Sequence, residues 1–424
     1  MKTTIELLKA NERVSGYRIN THRKESYELF FVKGRLETVR CTDTCDREVT
    51  VYADHGEYKG DAQFFIYPST TQEEIAGLID EAVEKALLIN NQNYQLPAAE
   101  QGSFEVESNF AGASSADLAA EIARIVFAAN TDPDGSLNSV EIFLNRHTES
   151  VENSCGLSKT QVRYDAMVEA IPTYNGAQQS VELYEQYNFG SLNREELAAE
   201  IADKMAQVKA RFSAVKPEKL EQCSVILHKQ ELSSLCGSIA GDLGYAGVYG
   251  HMNVFKKGDA VQTAPEGDKL GITAAGEAEG SMFSAKFDGD GLSLGSIRLV
   301  EDGRAVNYFG SNRYGQYLGE KPTGMLPCLL VDAGTADEAA FAAGPSLEVL
   351  SMSGLQVDLN SDYIGGEIRL AYYREGDKVT PVTGVSISGK LSEVLNTIRL
   401  SARTGVFNGY VGPEKAILKN MQIF

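Results

Sequence analysis

Basic residues are the first shortage. The 424-residue chain carries 39 Lys and Arg against 59 Asp and Glu, a formal net charge of -20. Binding a phosphate backbone requires clustered cations. The longest basic bias here, Lys204, Lys209, Arg211, Lys216 and Lys219, is a thin scatter that reads as a solvated helix face and linker. Direct nucleic-acid binding is thereby disfavoured, and the acidity favours solubility with neutral or cationic partners. Long apolar runs are also missing. Nothing approaches the ~18–20 residues needed to span a bilayer. The opening MKTTIELLKANERVSGY reads as a short amphipathic helix without the apolar segment of a signal peptide. A cytoplasmic chain without a membrane partner is the expectation.

Cysteine and histidine are sparse. The six cysteines, Cys41, Cys45, Cys155, Cys223, Cys236 and Cys328, contain no C-x-x-C pair, which argues against a disulfide framework. Cys41 and Cys45 have no nearby His or Cys pair and read as structural thiols rather than zinc ligands. Of the five histidines, His22, His55, His147, His228 and His251, no two stand at i and i+4, so H-E-x-x-H is absent. Ser233, Ser234 and Ser238 lack a surrounding G-x-S-x-G. The glycines of Gly289–Gly295 lack a phosphate-loop lysine, and Asp288 and Asp290 lack the remaining ligands of a calcium loop.

What is present is the composition of a globular protein, 43% apolar and 23% charged, in a chain long enough for two or three domains. Residues 27–32 and 35–41 read as strands around a Lys33-Gly34 turn, followed by strands at 48–53 and 62–67. Thr71 and Glu74 form the sequence signature of a capping box, which opens an amphipathic helix. The order then recurs. A helix at 116–129 precedes a strand at 140–144, a turn at Asn145-Arg146-His147 and a returning strand around 149–151. Strands at 162–171 and 180–187 follow, then a helix opened by Leu192–Glu196. An internal duplication accounts for this pattern. It divides the chain into an α+β unit at 1–95, a pseudo-repeated α+β unit at 96–216 and, past the boundary at Val215–Lys219, a β-rich domain at 217–424. The fold class is α+β, with a large antiparallel β domain at the C-terminal end.

Cys223–Gly250 is the stretch around which the chain is organised. An apolar run, Val225-Ile226-Leu227, leads into Gly237, Gly241, Gly244, Gly247 and Gly250. Glycine costs backbone entropy, so such clustering suggests close approach of the backbone to something. His228 and Glu231, three apart, are weak metal candidates together with His251. Cys236 is either a thiol at a helix start or a buried small residue. Further on, Ser351–Asn360 and Tyr363–Glu367 form a strand, a bend and a strand. Gly354, Gln356, Gly365 and Gly366 there are candidates for contact with an extended peptide added at a strand edge. A sheet bulge is the alternative.

One resemblance covers nearly the whole chain. Asn307-Tyr308-Phe309, Ser311–Leu318, Pro322-Thr323-Gly324 and Cys328–Thr335 are followed in order by Ser353–Val357, Gly365-Gly366-Glu367 and Pro381–Leu391. These resemble the TldD/PmbA family, known as modulators of DNA gyrase and as metallopeptidases. The resemblance implies two kinds of member: TldD-like chains whose H-E-x-x-x-H binds zinc, and TldE/PmbA-like chains that lack it and pair with a TldD-like partner. In this chain the motif slot falls on Leu235–Gly241. Cys236 and Gly241 stand in the histidine positions and Gly237 in that of the general-base glutamate. The expectation is therefore no catalytic residue and no metal in this chain, with zinc in a TldD-like partner. The pair would be a heterodimer enclosing unfolded or precursor peptides. Two alternatives stay open: a self-sufficient metallopeptidase using His228, Glu231 and His251, or a homodimeric peptide-binding protein without catalysis. Charge and motifs give the gyrase name no physical support.

Overall fold

In a computed structural model, residues 2–176 and 179–424 are described. The first half contains, in chain order, α1 (Lys2–Ala10), β1 (Gly16–Val32), β2 (Arg35–His55), β3 (Tyr58–Ile66) and α2 (Gln72–Ala86). β4 (Gln101–Glu105), α3 (Ser115–Ala128), β5 (Gly135–Asn153) and β6 (Ser158–Asn175) follow, then β7 (Ser180–Glu182), β8 (Glu185–Phe189) and α4 (Arg194–Ser213). One sheet runs β3-β2-β1-β5-β6-β4, with β7 and β8 also paired to β6.

Local chemistry sets the element ends as the sequence predicts. Lys33-Gly34 turns β1 into β2, both residues at positive φ. Thr71 and Glu74 make the reciprocal capping box of α2, and Asn193 caps α4 by accepting from the Glu196 N–H. Strand lengths differ from expectation. The predicted strands at 35–41 and 48–53 are one 21-residue strand. The predicted turn at Asn145–His147 lies inside the 19-residue β5. Polar runs suggested loops, but here they alternate across a sheet with a wet or polar surface on one side.

The two sequence-predicted units meet in this one sheet. β1 pairs antiparallel with β5 in unbroken register from Arg18↔Asn153 to Val32↔Ser139. Helices cover one face. Leu29, Ile142, Leu144 and Val168 share a core with Ile122, Val126, Leu197 and Ile201 of α3 and α4, while Ile19, Val49 and Val51 pack on Ile75 and Ile79 of α2. Near the ends of β5 and β6 the opposite face carries Asn145, His147, Glu149, Gln161 and Asp165, and it meets the second half of the chain.

That second half contains β9 (Ser224–His228), α5 (Lys229–Asp242), α6 (Tyr245–Tyr249), β10 (Ile272–Ala275), β11 (Ser296–Glu301), β12 (Arg304–Ala305), α7 (Asn312–Leu318), β13 (Cys328–Val331) and α8 (Glu338–Ala342). β14 (Ser346–Met352), β15 (Gln356–Asp358), β16 (Tyr363–Glu375), β17 (Lys378–Val382), β18 (Val385–Lys390) and α9 (Leu391–Thr397) come next. β19 (Arg399–Leu400), β20 (Thr404–Phe407), β21 (Tyr410–Pro413), β22 (Lys415–Leu418) and β23 (Gln422–Ile423) close the chain. They build two sheets, β12-β11-β10-β13-β21-β20 and β19-β22-β9-β14-β16-β18-β23, with β15 and β17 on β16. Pairing is antiparallel except β9 with β14 and β13 with β21. α5 touches strands of both sheets. Its Leu232, Leu235, Cys236, Ile239 and Ala240 sit in the largest core with Val225, Leu299, Leu347 and Ile364. The stretch singled out from sequence is thus the central helix of a β sandwich.

Polar contacts join the halves. Arg18 pairs with Asp290, Asn20 donates to the Gly289 carbonyl at 2.8 Å, and the Lys159 ammonium donates to the Gly291 carbonyl at 2.9 Å and to Ser293 at 2.7 Å. Among the described residues no helix is long and apolar enough to cross a membrane.

Candidate functional site

α5 follows β9 without a loop, so the apolar run and the glycine-rich segment form one strand–helix unit. Cys236 is 2% exposed, and burial alone pushes its thiol up to about 12. It is a neutral packing residue rather than a thiolate. Gly237 and Gly241, four residues apart, share the outer face of the helix. A methyl at Gly241 would meet nothing within 4 Å, and one at Gly237 only Leu329 at 4.0 Å. The expectation that these glycines allow close backbone approach is not met at either position. They leave room beside the helix. Cys236 and Gly241, five residues apart, point to different sides, one into the core and one outward.

His228 ends β9 and donates from Nε2 to Glu348 Oε1, 3.0 Å away, while the Lys415 ammonium donates to the same oxygen at 2.7 Å. Burial raises the Glu348 carboxyl, but His228 and Lys415 outweigh it and hold it at about 2. Glu231 is buried in the first turn of α5, and burial lifts its carboxyl above the ordinary range. His251 is exposed beyond α6 at φ 55°. The proposed grouping of His228, Glu231 and His251 is not assembled. Among the described residues these three are not brought within ligand distance of one another. His228 and Glu231 do share a cleft of about 150 Å³ with Lys229, Leu350, Asp203 and Lys204, at the point where β9 leaves β14.

The four glycine-rich peptide candidates divide. Gly365 and Gly366 lie inside the sheet, on the part of β16 that pairs with β18. A methyl on Gly365 would stand 2.5 Å from the Ile387 carbonyl oxygen, and one on Gly366 2.6 Å from that of Gly354. Close packing of strands explains both. Gly354, at φ 132°, makes the bend between β14 and β15. Gln356 is exposed on β15, whose only strand partner among the described residues is β16. β9 pairs with β14 only over Ser346–Glu348. From Val349 to Asp358 the outer edge therefore has no strand partner among the described residues, and this edge begins at the His228 cleft.

A second cleft, about 420 Å³, lies where the first sheet meets the second domain. Register assembles it. His22 is directly opposite Glu149, Glu149 is opposite Gln161, His147 is opposite Arg163, and Asn145 is opposite Asp165. All therefore project on one face. His22 Nε2 lies 2.9 Å from His147 Nδ1, and His147 Nε2 lies 2.5 Å from Asp165 Oδ2. Arg163 pairs with Glu149 at 2.9 Å, and Gln161 donates to Glu149 at 2.7 Å. Burial raises the Glu149 and Asp165 carboxyls. Arg163 and His147 respectively outweigh that and hold them below the usual range. The opposite wall is apolar, with Phe283, Phe287, Leu294, Met325 and Pro327. Sequence reading missed this cluster because the turn assigned to Asn145–His147 hid the alternation of 145, 147 and 149.

Comparison with known proteins places the chain. Residues 220–424 match the family model of the PmbA/TldA metallopeptidase C-terminal domain. The chain carries a TldD/PmbA-family domain. A sequence search of curated proteins returns no match. The fold resembles that of TldE from Thermococcus kodakarensis (TM-score 0.81, 14% identity, 99% of each chain covered). It also resembles a modulator of a DNA gyrase from Thermotoga maritima MSB8 (TM-score 0.78, 15% identity, 100% of this chain and 99% of that one). A modulator of DNA gyrase from Bacteroides thetaiotaomicron VPI-5482 is similar too (0.78, 11%, 100% and 97%).

The metallopeptidase name of the TldD/PmbA domain implies a metal, and α5 does not fit one. Its slot offers a buried neutral thiol, two residues without side chains, and positions that do not converge. No hydrolytic step follows from it.

Proposed function

We propose that this chain is a TldE/PmbA-like subunit of a paired, cytoplasmic peptidase, which helps hold an extended peptide while a zinc-bearing TldD-like partner cuts it. The observation that carries the reading is α5. A TldD/PmbA-family domain presents, in its central helix, room instead of ligands at Gly237 and Gly241. The unpartnered edge at 349–358 supports a strand-adding peptide, because main-chain hydrogen bonding there needs no particular side chains. The cleft at its start holds four carboxylates, Glu185, Glu200, Asp203 and Glu231, against Lys204 and Lys229. That balance suits neutral or cationic peptides. The test is co-expression with a TldD-like chain bearing H-E-x-x-x-H. Co-purification and a peptidase activity that needs both chains are expected. Hydrolysis by this chain alone, sensitive to His228→Ala, would replace the reading with the self-sufficient one. A stable homodimer that ignores the TldD-like chain would replace it with a peptide-binding homodimer.

A further inference from the structure

We propose that His22, His147 and Glu149 form a binding site for a divalent transition-metal ion of the zinc class, in the cleft between the first sheet and the second domain. The site lies in a different domain from α5 and does not depend on the pairing proposed above. It narrows the expectation of a metal-free chain to α5 alone.

Geometry carries the proposal. Among the described residues this is the only trio of His, Cys or carboxylate groups whose ligand atoms all lie within 4.8 Å of one another. The two imidazole planes are within 6° of parallel, with centroids 5.2 Å apart and facing nitrogens at 2.9 Å. The rings therefore meet edge to edge, and each nitrogen's lone-pair axis runs at the other. His147 donates its Nε2–H to Asp165, which leaves Nδ1 as the acceptor aimed at His22 Nε2. A carboxylate on the far nitrogen of a metal-ligating imidazole is the usual outer support of such ligands. Asn145 in turn donates to Asp165 at 2.6 Å, so the support is itself held.

A metal would replace the proton now shared by the two rings. With Zn–N bonds of ~2.0–2.1 Å, a tetrahedral angle needs roughly 3.3 Å between the nitrogens and lone pairs that converge on the ion instead of facing each other, so one ring must swing as well as part. His22 is half-exposed and can make that adjustment. Glu149 Oε1 stands 3.9 Å from His22 Nε2 and faces two nitrogens of Arg163 at 2.9 Å, so ligation would draw it away from one of them. Among the described residues, Arg163 is the cation in contact with the site's carboxylates. Glu149, Asp165 and Asp46, opposite His22 on β2, outnumber it. Two histidines and one carboxylate on one face suit zinc, cobalt or iron and leave coordination positions open to the cleft.

The test uses the full chain, stripped with a chelator and titrated with Co(II) alone, then Zn(II) alone. One equivalent of Co(II) is expected to bind at micromolar protein, giving visible ligand-field bands that Zn(II) abolishes. His22→Ala and His147→Ala lose the bands. Asp165→Asn, a positioning change, weakens binding about 10–100-fold while keeping the band shape. X-ray absorption of the zinc-loaded wild type needs no variant and should show imidazole and oxygen donors only. Sulfur ligation, absence of Co(II) uptake, or equal uptake by wild type and a folded His22→Ala would overturn the proposal.

Discussion

Individual side chains in this molecule owe their chemistry to depth rather than to type. Cys236 and Cys328 are buried, and burial pushes both thiols up, whereas Cys41 and Cys155 are exposed. A thiol reagent applied to the native chain should label Cys41 and Cys155 first and reach Cys236 and Cys328 only after denaturation, as peptide mass mapping would show. Glu348 is the opposite case, a carboxylate held down to about 2 from an ordinary 4.5 by His228 and Lys415. A depressed carboxyl stabilises the fold fully above its unfolded value, and that contribution fades as pH falls from about 4.5 towards 2. At ~1.4 kcal/mol per unit the effect is on the order of 3 kcal/mol. Glu348→Gln should lower stability by that order at pH 7, with the gap to wild type closing below pH 4 in denaturant titrations. A gap that is flat with pH would show that Glu348 acts through packing.

At the level of elements, α5 and β16 use glycine for opposite ends. Gly237 and Gly241 lie on a helix with free space beside them, so alanine there should gain the usual helix preference, ~0.8–1 kcal/mol each. Gly366→Ala should cost roughly 1–3 kcal/mol, because the methyl meets the Gly354 carbonyl within the sheet. Urea unfolding of the three variants checks both signs. The same elements show what the sequence could and could not reveal. Helix starts were legible because Thr71, Glu74 and Asn193 act on neighbours a few residues away. The Lys33-Gly34 turn was legible for the same reason. Strand extent was not. Cys41–Asp46 and Asn145–Glu149 are polar and look like loops; the first is held by the long hairpin ladder to His22–Tyr27, and the second pairs with β1 residues over a hundred positions distant. The family domain was legible from motif order at its C-terminal end. The His22 cluster depends on the β1–β5 register, which no local pattern contains.

For the molecule as a whole, the seam between domains sets a fully buried cation beside an apolar cluster of Val151, Leu157 and Phe287. The Lys159 ammonium reaches Glu100 at 2.7 Å as well as the Gly291 carbonyl and Ser293. Lys159→Ala removes three charge-assisted contacts at once, though Glu100 can turn to water. The expected loss is about 2–4 kcal/mol. Hydrogen exchange should show the 286–295 loop deprotected more than the cores of either domain. Uniform deprotection would mean that the seam and the cores unfold as one unit.

The unbroken β1–β5 ladder also has a consequence in time. On a ribosome, β1 and β2 can close as a hairpin at once, but residues Arg18–Val32 wait for Ser139–Asn153. At ~5–20 residues per second, the intervening hundred or so residues take roughly 5–20 s to appear. For that interval the nascent chain exposes a long, unsatisfied strand edge bearing Phe30, Phe31 and Val32, a surface on which two neighbouring nascent chains could pair with each other before either meets its own β5.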